Sequence, residues 1–447
     1  MFFPIRFDRK FTFGAIAIVI AALSLTMAPA ARAVNAVPDA MPTGTETLLY
    51  SFGVGPTPDK CKINDGANPK GSLTYAPATG LFFGTTSTTT AKGNTFGTIF
   101  QIMPTGSSYA VDHFFAGPKT DGSDPQNSAM TPVGDVLYGT TLAGGQHSNG
   151  AIFSINDDGT GYSSPLLFNF PASAAKNAGD QPHSNFVAIG GVLYGMTSQG
   201  GHNGGTTGDG TIFAFATSSP TYSRLYSFDG KLHGSVPRGQ LILDPGATKF
   251  YGMTSAGGTH GVGVIFSFSP PNCGGSVKCK GKFKVLHNFS CPGNKTPMCM
   301  DGSDGASPDH GTLVQSGSTL FGVTAFGGSH GQGAVFSMHT DGTHFTILQN
   351  FGKPGSNDGI NPLGSLLLDG TTLYGTTQLG GNKGNGSVFR INTDGTGYDR
   401  IWDFQNGTTD GQKPDDNVIL LSGTLYGMTE VGGQCGNGAI FALVPPP

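Results

Sequence analysis

Four histidines occupy the same place in successive glycine-rich loops. His147, His202, His260 and His330 follow the pairs Gly144-Gly145, Gly200-Gly201, Gly257-Gly258 and Gly327-Gly328. Imidazoles repeated on one face suit a transition metal or a bound ligand; a polar loop residue copied along with its repeat gives the same pattern. A second recurrent element is Asp-Gly two residues ahead of proline: Asp65-Gly66, Asp121-Gly122, Asp304-Gly305, Asp358-Gly359 and Asp410-Gly411. Asp side chains bond nearby backbone amides and define such turns. In "CMDGSDGASP" the extra carboxylate makes Asp301 and Asp304 a candidate calcium pair, although the spacing of a full calcium loop is absent. No cofactor is predicted beyond that candidate calcium. The glycine pairs have neither the following helix nor the Lys-Ser/Thr that phosphate cradling requires. No nucleophile elbow or carboxylate pair stands out from the repeats, so enzymatic activity is not the leading expectation.

The elements that must position these residues are seven copies of one hairpin. Its first strand reads "LFFGTT" (81–86), "LYGTT" (137–141), "LYGMT" (193–197), "FYGMT" (250–254), "LFGVT" (320–324), "LYGTT" (373–377) and "LYGMT" (425–429). The central glycines, Gly84 to Gly427, are spaced 55, 56, 57, 70, 53 and 52 residues apart. Each core precedes a second short apolar strand, from "GTIFQI" to "GAIFAL", with the composition of a strand covered on both faces. An aromatic-ended strand such as "SRLYSF" and a strand such as "GSLLL" complete most units. Four strands per unit of about 50 residues predict an all-β fold, a seven-bladed β-propeller of four-stranded blades.

The seventh unit lacks its aromatic-ended strand, and "ETLLYSF" (46–52) supplies it. The N-terminal strand is therefore expected to complete the last blade, leaving no open sheet edge. Six cysteines in an exported chain suggest three disulfides, for which fifteen connectivities exist. Cys273 and Cys279 lie in one insertion, Cys291 and Cys299 in another, and together these lengthen the 70-residue interval. Cys435 lies in the glycine loop of the seventh unit and Cys61 follows the N-terminal strand, so the two are expected to meet at the closure.

These units resemble the GloVer tandem repeat (Gloeobacter/Verrucomicrobia-type), an exported bacterial repeat of LYGTT–GG–GTVF flavour, over essentially all of 46–443. Their strand order is also similar to kelch propellers. The resemblance implies architecture and a surface location, and carries over no catalytic residue. The first unit departs from the pattern, with "STTTAKGNTFG" in place of the paired-glycine loop.

Residues 1–33 read as a signal peptide: Arg6, Arg9 and Lys10, an apolar run, then "ARA" before Val34. A linker at 34–45, one propeller domain at 46–443 and a tail at 444–447 follow. The mature chain is expected to be secreted, periplasmic or extracellular, monomeric and without a membrane span. Its net charge of −4 offers no footprint for nucleic acid. The function expected is a binding or interaction module for a cell-surface protein or polysaccharide, contacted on the glycine-loop face. The alternatives are a polysaccharide hydrolase or lyase, for which an axial pocket with carboxylates or a His–carboxylate pair would speak, and a structural envelope protein.

Overall fold

A computed structural model describes residues 44–54, 61, 64–89, 96–126, 129–171, 178–201, 208–270, 281–290, 304–405 and 407–447. The expected signal segment, His202, Cys273, Cys279, Cys291, Cys299 and Asp301 lie outside them. No helix occurs among the described residues; seven antiparallel sheets form a seven-bladed propeller. Blade 6 is representative, with strands Leu367–Asp369, Thr372–Thr377, Ser387–Asn392 and Asp399–Asp403 from first to fourth. In blade 7, Ile419–Leu421, Thr424–Thr429 and Ala439–Val444 are joined by Thr45–Ser51, which pairs with the last in antiparallel register from Thr45↔Val444 to Ser51↔Ala439. The N-terminal strand thus closes the ring, and Cys61 and Cys435 are disulfide-bonded beside it, their Cα atoms 5.4 Å apart.

Each recurrent glycine has a steric reason. A Cβ on the central glycine of an LYG strand would lie 2.4–2.8 Å from the Cζ of the phenylalanine on the neighbouring third strand, as at Gly375 against Phe389. The glycine is the hole into which that ring packs. Apolar clusters then form between blades. One joins Val388, Ile401 and Phe404 of blade 6 to Val418, Leu425 and Phe441 of blade 7, and equivalent clusters fill the other six seams. A fully buried phenylalanine contributes about 1.5–3 kcal/mol, so stability resides in the seams.

The proline motif makes a second inter-blade joint. All seven residues before the proline have φ of +49° to +56°: Asn68, Asp124, Gln181, Val236, Ser307, Asn361 and Lys413. Each donates its N–H to a carbonyl in the preceding blade's loop at 2.8–3.0 Å, Asn68 to Asn437 across the closure. The following proline packs on a glycine of that preceding blade, at φ of +94° to +104°, where a Cβ would lie 2.5–3.0 Å from the proline Cδ. Only glycine meets both demands.

Toward the outer edge, five seams are filled by rings stacked across them. The pairs are Tyr50–Tyr109, His113–Tyr162, Phe168–Tyr222, Tyr226–Phe283 and His287–Phe345, with centroids 3.5–4.6 Å apart. Gln349 and Tyr398 hold the equivalent positions between blades 5 and 6, and Trp402 and Glu46 those between blades 6 and 7.

Candidate functional site at the axial mouth

The residue after each joint proline leads into the first strand of the next blade, and here the repeats stop being alike. The seven positions hold Lys70, Gln126, His183, Arg238, Asp309, Leu363 and Asp415. The backbone before them is clamped by the proline joint, so their differences concern the side chains alone. Arg238 Nη1 contacts Asp309 Oδ1 at 2.8 Å, and Lys70 Nζ contacts Glu430 at 3.3 Å. Asp415 accepts a hydrogen bond from Gln378 Nε2 at 2.8 Å. The His183 and His310 rings lie near-parallel with centroids 6.2 Å apart.

Below this rim a cavity of about 240 Å³ is lined by Asn185, Gln240, Thr312, Ser365 and Asn417, with Arg238, His310 and Asp416 at its edge. The lining is cross-linked between first strands: Thr312 Oγ1 accepts from the Gln240 N–H at 3.0 Å, and Ser365 Oγ from the Thr312 N–H at 2.9 Å. Ser72 donates to Asn417 Oδ1 across the blade 7–blade 1 seam. At Gly239 a Cβ would lie 2.2 Å from the Gly311 carbonyl, so close approach of adjacent blades sets the width here.

Burial, then the neighbouring His310 and Arg238, push His183 down to about 3, leaving it neutral, and its Nδ1 has no hydrogen-bond partner. Across the mouth, burial raises both Asp415 and Asp416 to about 6. Near neutral pH the mouth therefore holds the Arg238–Asp309 ion pair, neutral His183 and two readily protonated carboxyls. A group with a pKa near the working pH can hold or release a proton.

The described residues among those singled out in the sequence lie elsewhere. His147 and His260 are exposed and His330 is half-buried, each in its own loop, with no hydrogen bond or ring contact joining them. Among the described residues no group of three or more His, Cys, Asp or Glu side chains is placed to hold a metal ion. Asp304 accepts hydrogen bonds from the Ser290 N–H and Oγ, at 2.8 and 2.7 Å, and from His287 Nε2 at 3.1 Å. Asp358 likewise accepts from Tyr398 Oη and the Gly359 N–H at the same turn. Sequence reasoning passed over the axial ring, although aligning the seven units on their proline would have shown its next residue to be a varied, mostly charged one.

Fold and mouth together define a seven-bladed propeller whose positions after the joint prolines differ from blade to blade. The chain belongs to the Gloeobacter/Verrucomicrobia repeat family, which matches residues 68–300 and 293–447. No curated protein matches it. Among solved structures it is similar to an oligogalacturonate lyase in complex with manganese, at 11% identity over 91% of this chain and 99% of that one, TM-score 0.49. A puromycin-hydrolyzing peptidase of Mycobacterium tuberculosis matches at 9% identity over 85% of this chain and 52% of that one, TM-score 0.48. A chain of a nidogen/laminin complex matches at 14% over 68% and 89%, TM-score 0.40. At these scores none bears on ligand or chemistry.

Proposed function

We propose that the protein is an exported recognition module that takes a polar ligand, such as the end of a polysaccharide chain, at the axial mouth. The observation that carries this is the ring after the joint prolines: seven structurally equivalent positions, clamped alike, bear different and mostly charged side chains. A purely structural ring has no need of that variety. The cavity beneath, where hydroxyls and amides line the wall together with Ile242, Leu313, Val314 and Leu366, offers donors, acceptors and apolar surface to a polyhydroxylated group. Export is supported by the Cys61–Cys435 disulfide, since such bonds persist in oxidising compartments. No helix among the described residues is long and apolar enough to cross a membrane.

Isothermal titration of the mature chain against a panel of oligosaccharides tests the reading. Arg238→Ala is expected to weaken the best ligand about tenfold, the loss of one charge-assisted contact. Equal affinity of Arg238→Ala and wild type for every ligand would remove the axial site from consideration. For an acidic ligand, binding should strengthen as pH falls through about 6, where Asp415 and Asp416 lose their charge.

A second reading is a polysaccharide-cleaving enzyme. It is favoured by the two carboxyls raised toward neutrality in the same mouth as neutral His183, which is a general acid–base set. Product formation from a bound polysaccharide, abolished in Asp416→Asn with binding retained, would select it over pure recognition.

A further inference from the structure

The outer seam between blades 5 and 6 differs from the five stacked seams in one residue. Where those place a tyrosine, histidine or phenylalanine from the preceding blade against the next blade's ring, this one places Gln349 against Tyr398. The Gln349 amide turns away and donates to the Asn350 carbonyl at 3.2 Å. Tyr398 keeps its inner neighbours, Phe351 and Phe389, with centroids 6.0 Å away. No stacked ring covers it from blade 5 among the described residues. At this spot a groove of about 490 Å³ opens, lined by Tyr398, Gln349, Asn350, Lys353, Ser356 and His330.

The groove has the parts of a carbohydrate subsite. Tyr398 is a fixed platform, because its hydroxyl is anchored on Asp358 Oδ1 at 2.6 Å, and a fixed aromatic loses little entropy on binding. The rest of the lining is amides, hydroxyls and an imidazole, with one aliphatic side chain, Leu348, and the charged Lys353, Asp358, Asp399 and Arg400. The acids nearby are engaged: Asp358 by Tyr398 and the Gly359 N–H, Asp399 by Arg390 at 3.3 Å. Arg400 is buried against Asp403 at 2.6 Å. Lys353 is exposed and makes no ion pair among the described residues, which leaves one uncommitted cation at the rim.

We propose that this seam is a second ligand site, in which a pyranose ring of an acidic polysaccharide stacks on Tyr398 in place of the missing side chain, its acidic group facing Lys353. The site is independent of the axial mouth and does not rest on the function assigned there. A polyhydroxylated ring is preferred over a flat aromatic ligand because the groove's walls are mostly hydrogen-bonding groups, with a single aromatic platform and Leu348 as the one aliphatic lining residue.

The test is titration of the mature full-length chain, followed by NMR or calorimetry, with trigalacturonate and trimannuronate, with neutral maltotriose, and with adenosine monophosphate. An acidic trisaccharide is expected to bind best. Gln349→Tyr restores the stack used at other seams; it should leave the melting transition unchanged or raised while weakening the trisaccharide at least about tenfold. Lys353→Ala should weaken the acidic trisaccharides about fivefold and leave maltotriose unaffected. Saccharide-induced NMR shifts of the Tyr398 ring distinguish binding at this seam from binding at the axial mouth. Undiminished binding by Gln349→Tyr, preference for the nucleotide, or no saccharide binding at tens of millimolar would each overturn the proposal.

Discussion

Replacing Cys61 and Cys435 together by serine should destabilise the protein without opening it. The bond joins residues 374 apart in sequence, so in the unfolded chain it closes a loop of nearly the whole propeller. The chain-entropy relation puts the resulting stabilisation at roughly 6 kcal/mol for that loop, while removing native disulfides typically costs about 2–5 kcal/mol. The folded ring does not depend on the bond, because Thr45–Ser51 is already paired with Ala439–Val444 along its length and Gly44 N–H reaches the Ile401 carbonyl at 3.0 Å. With an unfolding entropy of about 2.1 cal/mol/K per residue over some 400 residues, a loss of 4 kcal/mol lowers the melting temperature by about 5 °C. Urea unfolding followed by the single tryptophan, Trp402, reads the difference in free energy. Hydrogen exchange at Leu48 and Tyr50 reports whether the closure survives. An unchanged midpoint at unchanged slope would refute the entropic account. Loss of protection at Leu48 and Tyr50 under native conditions would show that the bond, and not the strand ladder, holds the ring shut.

Three further outcomes follow from the same geometry. Gly375→Ala drives a methyl to 2.5 Å from Phe389 Cζ; it should cost about 1–3 kcal/mol by overpacking, and adding Phe389→Leu should recover part of that in a double-mutant cycle. Val236 holds φ +55° with a β-branched side chain where Asn68 and Asn361 serve elsewhere, so Val236→Asn should stabilise by about 1 kcal/mol in urea unfolding. Burial, then Asp410, raise Glu46 from 4.5 to about 8. A carboxyl with a folded-state pKa above its unfolded value favours folding when protonated, so this contribution is lost as pH rises from about 4.5 toward 8. Glu46→Gln should therefore be the more stable form at pH 8, by on the order of 1 kcal/mol since Glu46 keeps solvent contact, and a pH series that left the two proteins parallel would sink the argument.

The blades were legible in the sequence because each repeated residue answers a repeated contact: the LYG glycine to a ring, the glycine before the third strand to a proline. "ETLLYSF" revealed the closure for the same reason, as a unit's missing strand is recognisable by its aromatic spacing. The axial mouth was not legible in that way. His183 and His310 become neighbours only because two blades turn their first strands toward one axis, and no local pattern records that rotation. The loop histidines are conspicuous through their regular placement, yet His147 and His260 are exposed and each of the described ones sits in its own loop. Asp304, read as a candidate calcium ligand, is an acceptor for its own turn. Likewise Gln349 is unremarkable in isolation and becomes informative only beside the five rings that fill its equivalents.

Because each proline plugs into a glycine socket on the blade before it, all seven seams are mated in the same rotational sense by the same parts. A whole unit can therefore be gained or lost by recombination without inventing a new surface; only the angle between neighbours must adjust. The residue after the proline would travel with its unit into a new company of neighbours. In such a ring, copy number and order form an alphabet, and what is recognised at the axis can be respelled while the fold is left untouched.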